Sequence, residues 1–137
     1  MSDYDQKRIY RWADVSPHFE RHELMSPNTI MHPHLIDIVA LHQLNIFREK
    51  VNKKLFINHR NLHMRGVRSS QEQISLLESS IGGASNSQHV QGKAFDISCY
   101  DLNFKDFLKL CEDFWPFIKA YPDKNFIHCD NRNLITI

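Results

Sequence analysis

The 137-residue chain has no apolar run approaching membrane-spanning length, and no internal repeat, low-complexity tract or linker. Nor does one sign of charge dominate: 17 basic and 16 acidic side chains leave a formal net charge of +1. That near-neutrality argues against a nucleic-acid binder, which works by neutralising phosphates. Cysteine is scarce. Cys99, Cys111 and Cys129 show no CxxC spacing, and pairing two would leave one over. Reduced, mostly buried thiols in a protein made in a cytoplasm are expected. The first residues, Met1-Ser2-Asp3-Tyr4-Asp5, are acidic and polar, unlike a secretory signal. A protein without an export signal would need another route to a substrate outside the cytoplasm.

What is present suits one domain with a real core: 42% of residues are hydrophobic and 24% charged. Residues 1–15 form a polar segment with Tyr4, Ile9, Tyr10 and Trp12 as anchors onto a domain spanning 16–137. Ser16 and Pro17 suit the cap and first turn of a short helix. Leu35, Ile36, Val39, Leu44, Phe47 and Val51 recur at helical spacing, predicting a helix over 33–51 opened by Pro33. Its histidines, His32, His34 and His42, read as surface groups. Residues 55–59 read as a strand, and Ser69 or Ser70 with Glu72 suits a capping box. Asn103 starts a second helix with an aromatic stripe, kinked or ended at Pro116, with residues 117–121 continuing toward Pro122. Residues 126–130 and 134–137 read as strands. The whole predicts a compact α+β domain, mainly an antiparallel sheet with helices packed on it.

The chemistry gathers around Ser87-Gln88-His89-Val90-Gln91-Gly92-Lys93-Ala94-Phe95-Asp96, preceded by a loop through Gly82-Gly83. After Gly92 the residues alternate, with Ala94, Asp96 and Ser98 on one strand face and Phe95, Ile97 and Cys99 on the other. Gly92 permits a sharp approach between His89 and that strand. An imidazole and a carboxylate converging there suit a divalent metal, with Zn2+ the natural candidate. A third ligand is needed. His128 shares a strand face with Phe126 and Asp130, and pairing of the two strands would bring it to His89 and Asp96. Two histidines and one carboxylate, with water in the fourth position, is a catalytic zinc arrangement.

SNSQHVQGKAFD resembles the SxHxxGxAxD motif of the zinc D-alanyl-D-alanine carboxypeptidases and related peptidoglycan peptidases. FIHCDNR is similar to that family's final FxHxD segment, Val67-Arg68-Ser69 to its YRS segment, and residues 18–24 to its opening stretch. The resemblance runs from about residue 16 to residue 132. It implies that His89, Asp96 and His128 bind zinc and that Arg68 balances the anion formed when water adds to a peptide carbonyl. Ser87 would support the ligands from the turn.

Many relatives carry a glutamate base three residues before the last histidine, where this chain has Asn125. Asp130 is the preferred base over Asp123, because it shares a strand face with His128. An alternative role for Asp130 is structural, holding Arg132 or orienting a ligand histidine.

The resemblance further implies hydrolysis of D-Ala-containing stem peptides or cross-links of peptidoglycan. The expected protein binds no nucleic acid or membrane, is a monomer or virion-associated, and has a phage-type lytic role. A non-catalytic zinc-bearing binding or structural domain of the same fold is the alternative reading. A hedgehog-like signalling domain shares the zinc pattern but fits the small size and missing export signal poorly.

Overall fold

The alternation after Gly92 produces a strand, β1 (Ala94–Ile97), all four residues of which are buried. It pairs antiparallel with β3 (Phe126–Asp130), which pairs antiparallel with β2 (Phe117–Tyr121), giving the order β1-β3-β2. The computed structural model describes residues 11–78 and 87–132. Among these, five helices accompany the sheet: α1 (Trp12–Val15), α2 (Arg21–Leu24), α3 (Ile38–Val51), α4 (Ser70–Glu78) and α5 (Phe104–Phe114). This is the α+β domain with an antiparallel sheet that the sequence predicts. The Gly82-Gly83 loop and the strand expected over 134–137 lie outside the described residues, as do Tyr4, Ile9 and Tyr10. No helix among the described residues is long and apolar enough to cross a membrane.

The two sheet faces have different jobs. Phe95, Ile97, Ile127 and Cys129 are wholly buried on one face and belong to the same core as Leu44, Phe47, Phe107 and Cys111 of the helices. Phe47 is its hub, with ring centroids 5.0 Å from Phe114, 5.7 Å from Trp115 and 6.1 Å from Phe107. Burying those rings removes large apolar areas from water and makes this side rigid. Cys99, Cys111 and Cys129 all lie in the core, as expected of structural thiols. The opposite face carries the polar residues taken up below.

Several local expectations require correction. The helix expected from Pro33 begins five residues later. Pro33–Leu35 is a 3-10 turn, and Asp37 caps α3 by accepting a hydrogen bond from Ala40 N at 2.9 Å. That phase buries Ala40 and Leu41 and leaves Leu35 and Val39 exposed, while His32, His34 and His42 are exposed as expected. A tertiary contact sets the break, since Asp37 N donates to Gly92 O at 2.9 Å.

Gly92 is required there. Its φ is +73°, and a Cβ would lie 2.1 Å from the carbonyl oxygen of Leu35. Gly92→Ala is expected to destabilise the fold by about 3 kcal/mol or more in denaturant titration, since neither backbone can yield cheaply.

Ser16 does not open a helix; it follows α1, and its hydroxyl donates to Phe19 O. Residues 55–59 make only isolated bridges, Phe56 to Ser98 and His59 to Leu62, and the Asn58 side chain between them donates to the carbonyls of His22 and Met25. Pro116 ends α5 outright. Trp115 is extended, as a residue before proline prefers, and residues 117–121 are a strand rather than more helix. The capping box at Ser69 is present: Ser69 Oγ accepts from Glu72 N, and Glu72 Oε1 accepts from Ser69 N.

Candidate metal centre

Register decides which side chains meet. Asp96 lies directly opposite His128 in the β1–β3 ladder, so both project from the polar face as cross-strand neighbours. His89 reaches them from the turn before β1. Ser87 Oγ accepts from His89 N at 3.1 Å, and His89 O accepts from Gly92 N at 3.1 Å and Arg68 N at 3.3 Å. The segment carrying Arg65 and Gly66 runs beside β1, with Asp96 N donating to Arg65 O at 2.7 Å.

Three ligand atoms converge. His89 Nε2 lies 3.1 Å from Asp96 Oδ1 and 3.2 Å from His128 Nδ1, and the latter lies 3.0 Å from the same Asp96 oxygen. Tetrahedral zinc with ligands at about 2.0–2.1 Å needs them about 3.3 Å apart, close to this triangle. The outer nitrogens settle the tautomers. His89 Nδ1 faces Gly66 O at 2.9 Å, an acceptor only, so that nitrogen carries the proton. His128 Nε2 donates to Asp130 Oδ2 at 2.6 Å. When both rings are neutral, each turns a lone pair inward, toward the other ring and toward a carboxylate oxygen. Burial lowers the pKa of His128, but hydrogen bonds to Asp130 and Asp96 outweigh it and raise it, so a proton and a metal compete for its Nδ1. Three electron-pair donors within 3.2 Å of one another repel unless a proton or a metal cation lies among them. The donor set, two nitrogens and one oxygen, suits zinc. These residues form the one group of metal-ligating side chains found among the described residues.

Burial disfavours a proton on His89 and lowers its pKa, although Asp96 opposes this. Burial alone would raise the pKa of Asp96, but His89 and His128 outweigh it and hold the carboxyl ionised. Asp130 behaves alike. Burial is outweighed by hydrogen bonds from His128 and Arg132, which pull its pKa down to about 2. Arg132 grips it with Nε at 3.0 Å from both oxygens and one terminal nitrogen at 2.7 Å from Oδ2.

Arg68 is 6% exposed, and its Nε has no hydrogen-bond partner among the described residues. Burial lowers its pKa, against the pull of Asp96 and Glu72. It is thus an under-satisfied cation near a ligand carboxylate. Asn125 has a backbone reason to be asparagine: it ends the 3-10 turn Pro122–Lys124 in the left-handed region, φ 55°. Asp123 is exposed in that turn.

Periodicity could not reveal the Gly66 carbonyl, which orients His89 from 23 residues away. Arg132 had a signal, because it lies two residues beyond Asp130 in the final segment. Arg65 and Lys119, which also border the centre, had none.

No curated protein and no solved structure matches the chain. The sequence profile of the Peptidase M15 family matches residues 17–130, a span holding all three converging ligands and the turn that aims the first of them. That match covers most of the chain, which belongs to the M15 peptidases, the family of the zinc D-alanyl-D-alanine carboxypeptidases.

Proposed function

We propose that the chain is a zinc peptidase that hydrolyses peptide bonds in bacterial peptidoglycan, in a D-Ala-containing stem peptide or cross-link. The observation that carries this reading is the convergence of His89 Nε2, Asp96 Oδ1 and His128 Nδ1 within 3.2 Å of one another. A lytic or virion-associated setting of phage type suits a peptidase directed at the cell wall. Zinc held by these three residues would polarise a carbonyl and bring the pKa of bound water toward about 7.

The chain's own groups do the rest. Gly66 O and Asp130 fix the two imidazoles so that each turns a lone pair inward. Asp96 adds the negative charge that partly balances a dication. Arg68, buried and short of partners, offers its guanidinium to the oxyanion that develops when water adds to the scissile carbonyl. Asp130, with both oxygens bound by His128 and Arg132, is a positioning residue for His128 rather than an acceptor of the water proton.

Defined muropeptides incubated with the purified chain should yield products whose masses locate the broken bond. Activity should vanish with a zinc chelator and return on adding back zinc. A chain holding one zinc per molecule that released no amine from any muropeptide would instead be the zinc-bearing binding domain. Asn125, where many relatives have a glutamate base, is the feature that favours that second reading.

A further inference from the structure

Two neighbouring backbone carbonyls hold two of the three metal ligands. Arg65 O accepts from Asp96 N at 2.7 Å, and Gly66 O accepts from His89 Nδ1 at 2.9 Å. Were the Gly66 carbonyl displaced, His89 would be free to carry its proton on Nε2 and donate to Asp96 Oδ1, 3.1 Å away. That proton would occupy the lone pair a metal needs. The placing of one short backbone segment therefore decides whether the centre is open to a cation.

The end of α2 fastens that segment. A helix closes on carbonyls that have no helical partner, and here the carbonyls of residues 22–25 find theirs elsewhere. Asn58 Nδ2 donates to His22 O at 3.3 Å and to Met25 O at 3.1 Å. Asn58 N donates to Glu23 O at 2.9 Å, and Val67 N to Leu24 O at 2.7 Å. The remaining polar atom of the Asn58 side chain, Oδ1, accepts from Arg65 N at 3.0 Å. Asn58 is 7% exposed, and its amide fits only this way round. Reversed, its NH2 would face an N–H and its oxygen would face two carbonyls. The segment lies so close to α2 that a Cβ on Gly66 would fall 2.0 Å from Leu24 O. One buried amide thus ties α2 to the residue whose carbonyl holds Asp96 and which precedes the one holding His89.

We propose that Asn58 is a positioning residue for the metal centre: through Arg65 N it sets the Arg65 and Gly66 carbonyls, which keep the His89 proton on Nδ1 and leave Nε2 to the metal. The inference rests on the metal reading of His89, Asp96 and His128, but the place of the proton is read on the chain without zinc. Asn58 acts on the ligands only through these carbonyls.

The test labels the histidine nitrogens with 15N and locates the His89 proton by NMR on the zinc-free chain at about pH 8, above the ordinary imidazole range. Chelator competition gives the zinc Kd, and thermal unfolding gives Tm. In the unaltered chain the proton should lie on Nδ1. Asn58→Leu keeps the bulk and removes the amide; it should move the proton toward Nε2 and weaken zinc binding about 10- to 100-fold. Asn58→Asp keeps an acceptor for Arg65 N and loses both donations to α2. It should lower Tm while leaving the proton on Nδ1 and zinc binding undiminished. Leu44→Ala opens a cavity in the core on the other side of the sheet and should lower Tm alone. An Asn58→Leu chain that folds with proton and Kd unchanged would overturn the proposal, and so would equal shifts in Leu44→Ala, which would trace the effect to lost stability. Should the leucine variant not fold, Asn58→Asp decides: a proton gone from Nδ1 with zinc bound about tenfold more weakly would overturn it. The expected shifts in a chain that releases no amine from any muropeptide would uphold the role of Asn58 and sink the peptidase reading instead.

Discussion

A His89→Ala protein is expected to lose both its zinc and its turnover, with activity falling about a thousandfold or more. The imidazole supplies one of three protein ligands, and its Nε2 lies within 3.2 Å of both others. Losing it leaves a histidine and a carboxylate, too few to hold zinc at a catalytic site. Losing the ion removes several kcal/mol of transition-state stabilisation, and each 1.36 kcal/mol is about tenfold in rate. The fold should survive, because the turn around residue 89 is held by the Ser87 hydroxyl and by backbone hydrogen bonds to Arg68 and Gly92. His42→Ala, at an exposed position on α3, is the control and should change neither quantity. Metal analysis beside a peptidoglycan digest is the measurement. A His89→Ala chain that kept stoichiometric zinc and still cleaved would refute the assignment.

The second large effect is expected from Asp130→Asn, and it separates two roles for this carboxylate. Asp130 is wholly buried and accepts from His128 Nε2 at 2.6 Å while gripped by Arg132. As a positioning residue it keeps the proton on Nε2 and the lone pair on Nδ1. An asparagine can turn its NH2 toward Nε2 and reverse that tautomer, placing a proton where the metal should bind. Zinc affinity should then fall about 10- to 100-fold, with much of the activity recovered at saturating zinc. A general base would behave oppositely: kcat would collapse at unchanged zinc affinity. Chelator competition gives the first quantity and turnover in excess zinc the second. The geometry favours the positioning role, because both Asp130 oxygens are already engaged by His128 and Arg132.

Sequence periodicity carried the centre of the fold well and its margins poorly. Alternation after Gly92 and around His128 located β1 and β3, because each has one apolar face buried against helices, which is what a period of two records. Asn103 and Asp106 marked the start of α5, since a cap is written in adjacent residues. The start of α3 was misplaced because the 3-10 turn at Pro33 and the helix at Ile38 share an apolar spacing, and only the Gly92 carbonyl separates them. Residues 117–121 lacked a strand signature for a related reason. Phe117, Ile118, Ala120 and Tyr121 are part-buried on both faces of β2, with rings over the polar side, so polar and apolar residues do not alternate.

The amino-acid order by itself singled out the three candidate metal ligands, which the folded chain brings together. Their spacing within two short segments is a local property, and the chemistry that needs two imidazoles and a carboxylate constrains those residues directly. Which nitrogen of each ring faces inward, which groups hold Asp130, and which cations border the centre were decided only by the folded chain. Those outcomes depend on strand register and on backbone carbonyls brought from distant positions, and a carbonyl oxygen is present at every residue. Nothing in the side-chain alphabet distinguishes Gly66 O from any other until the segment carrying it is laid beside β1.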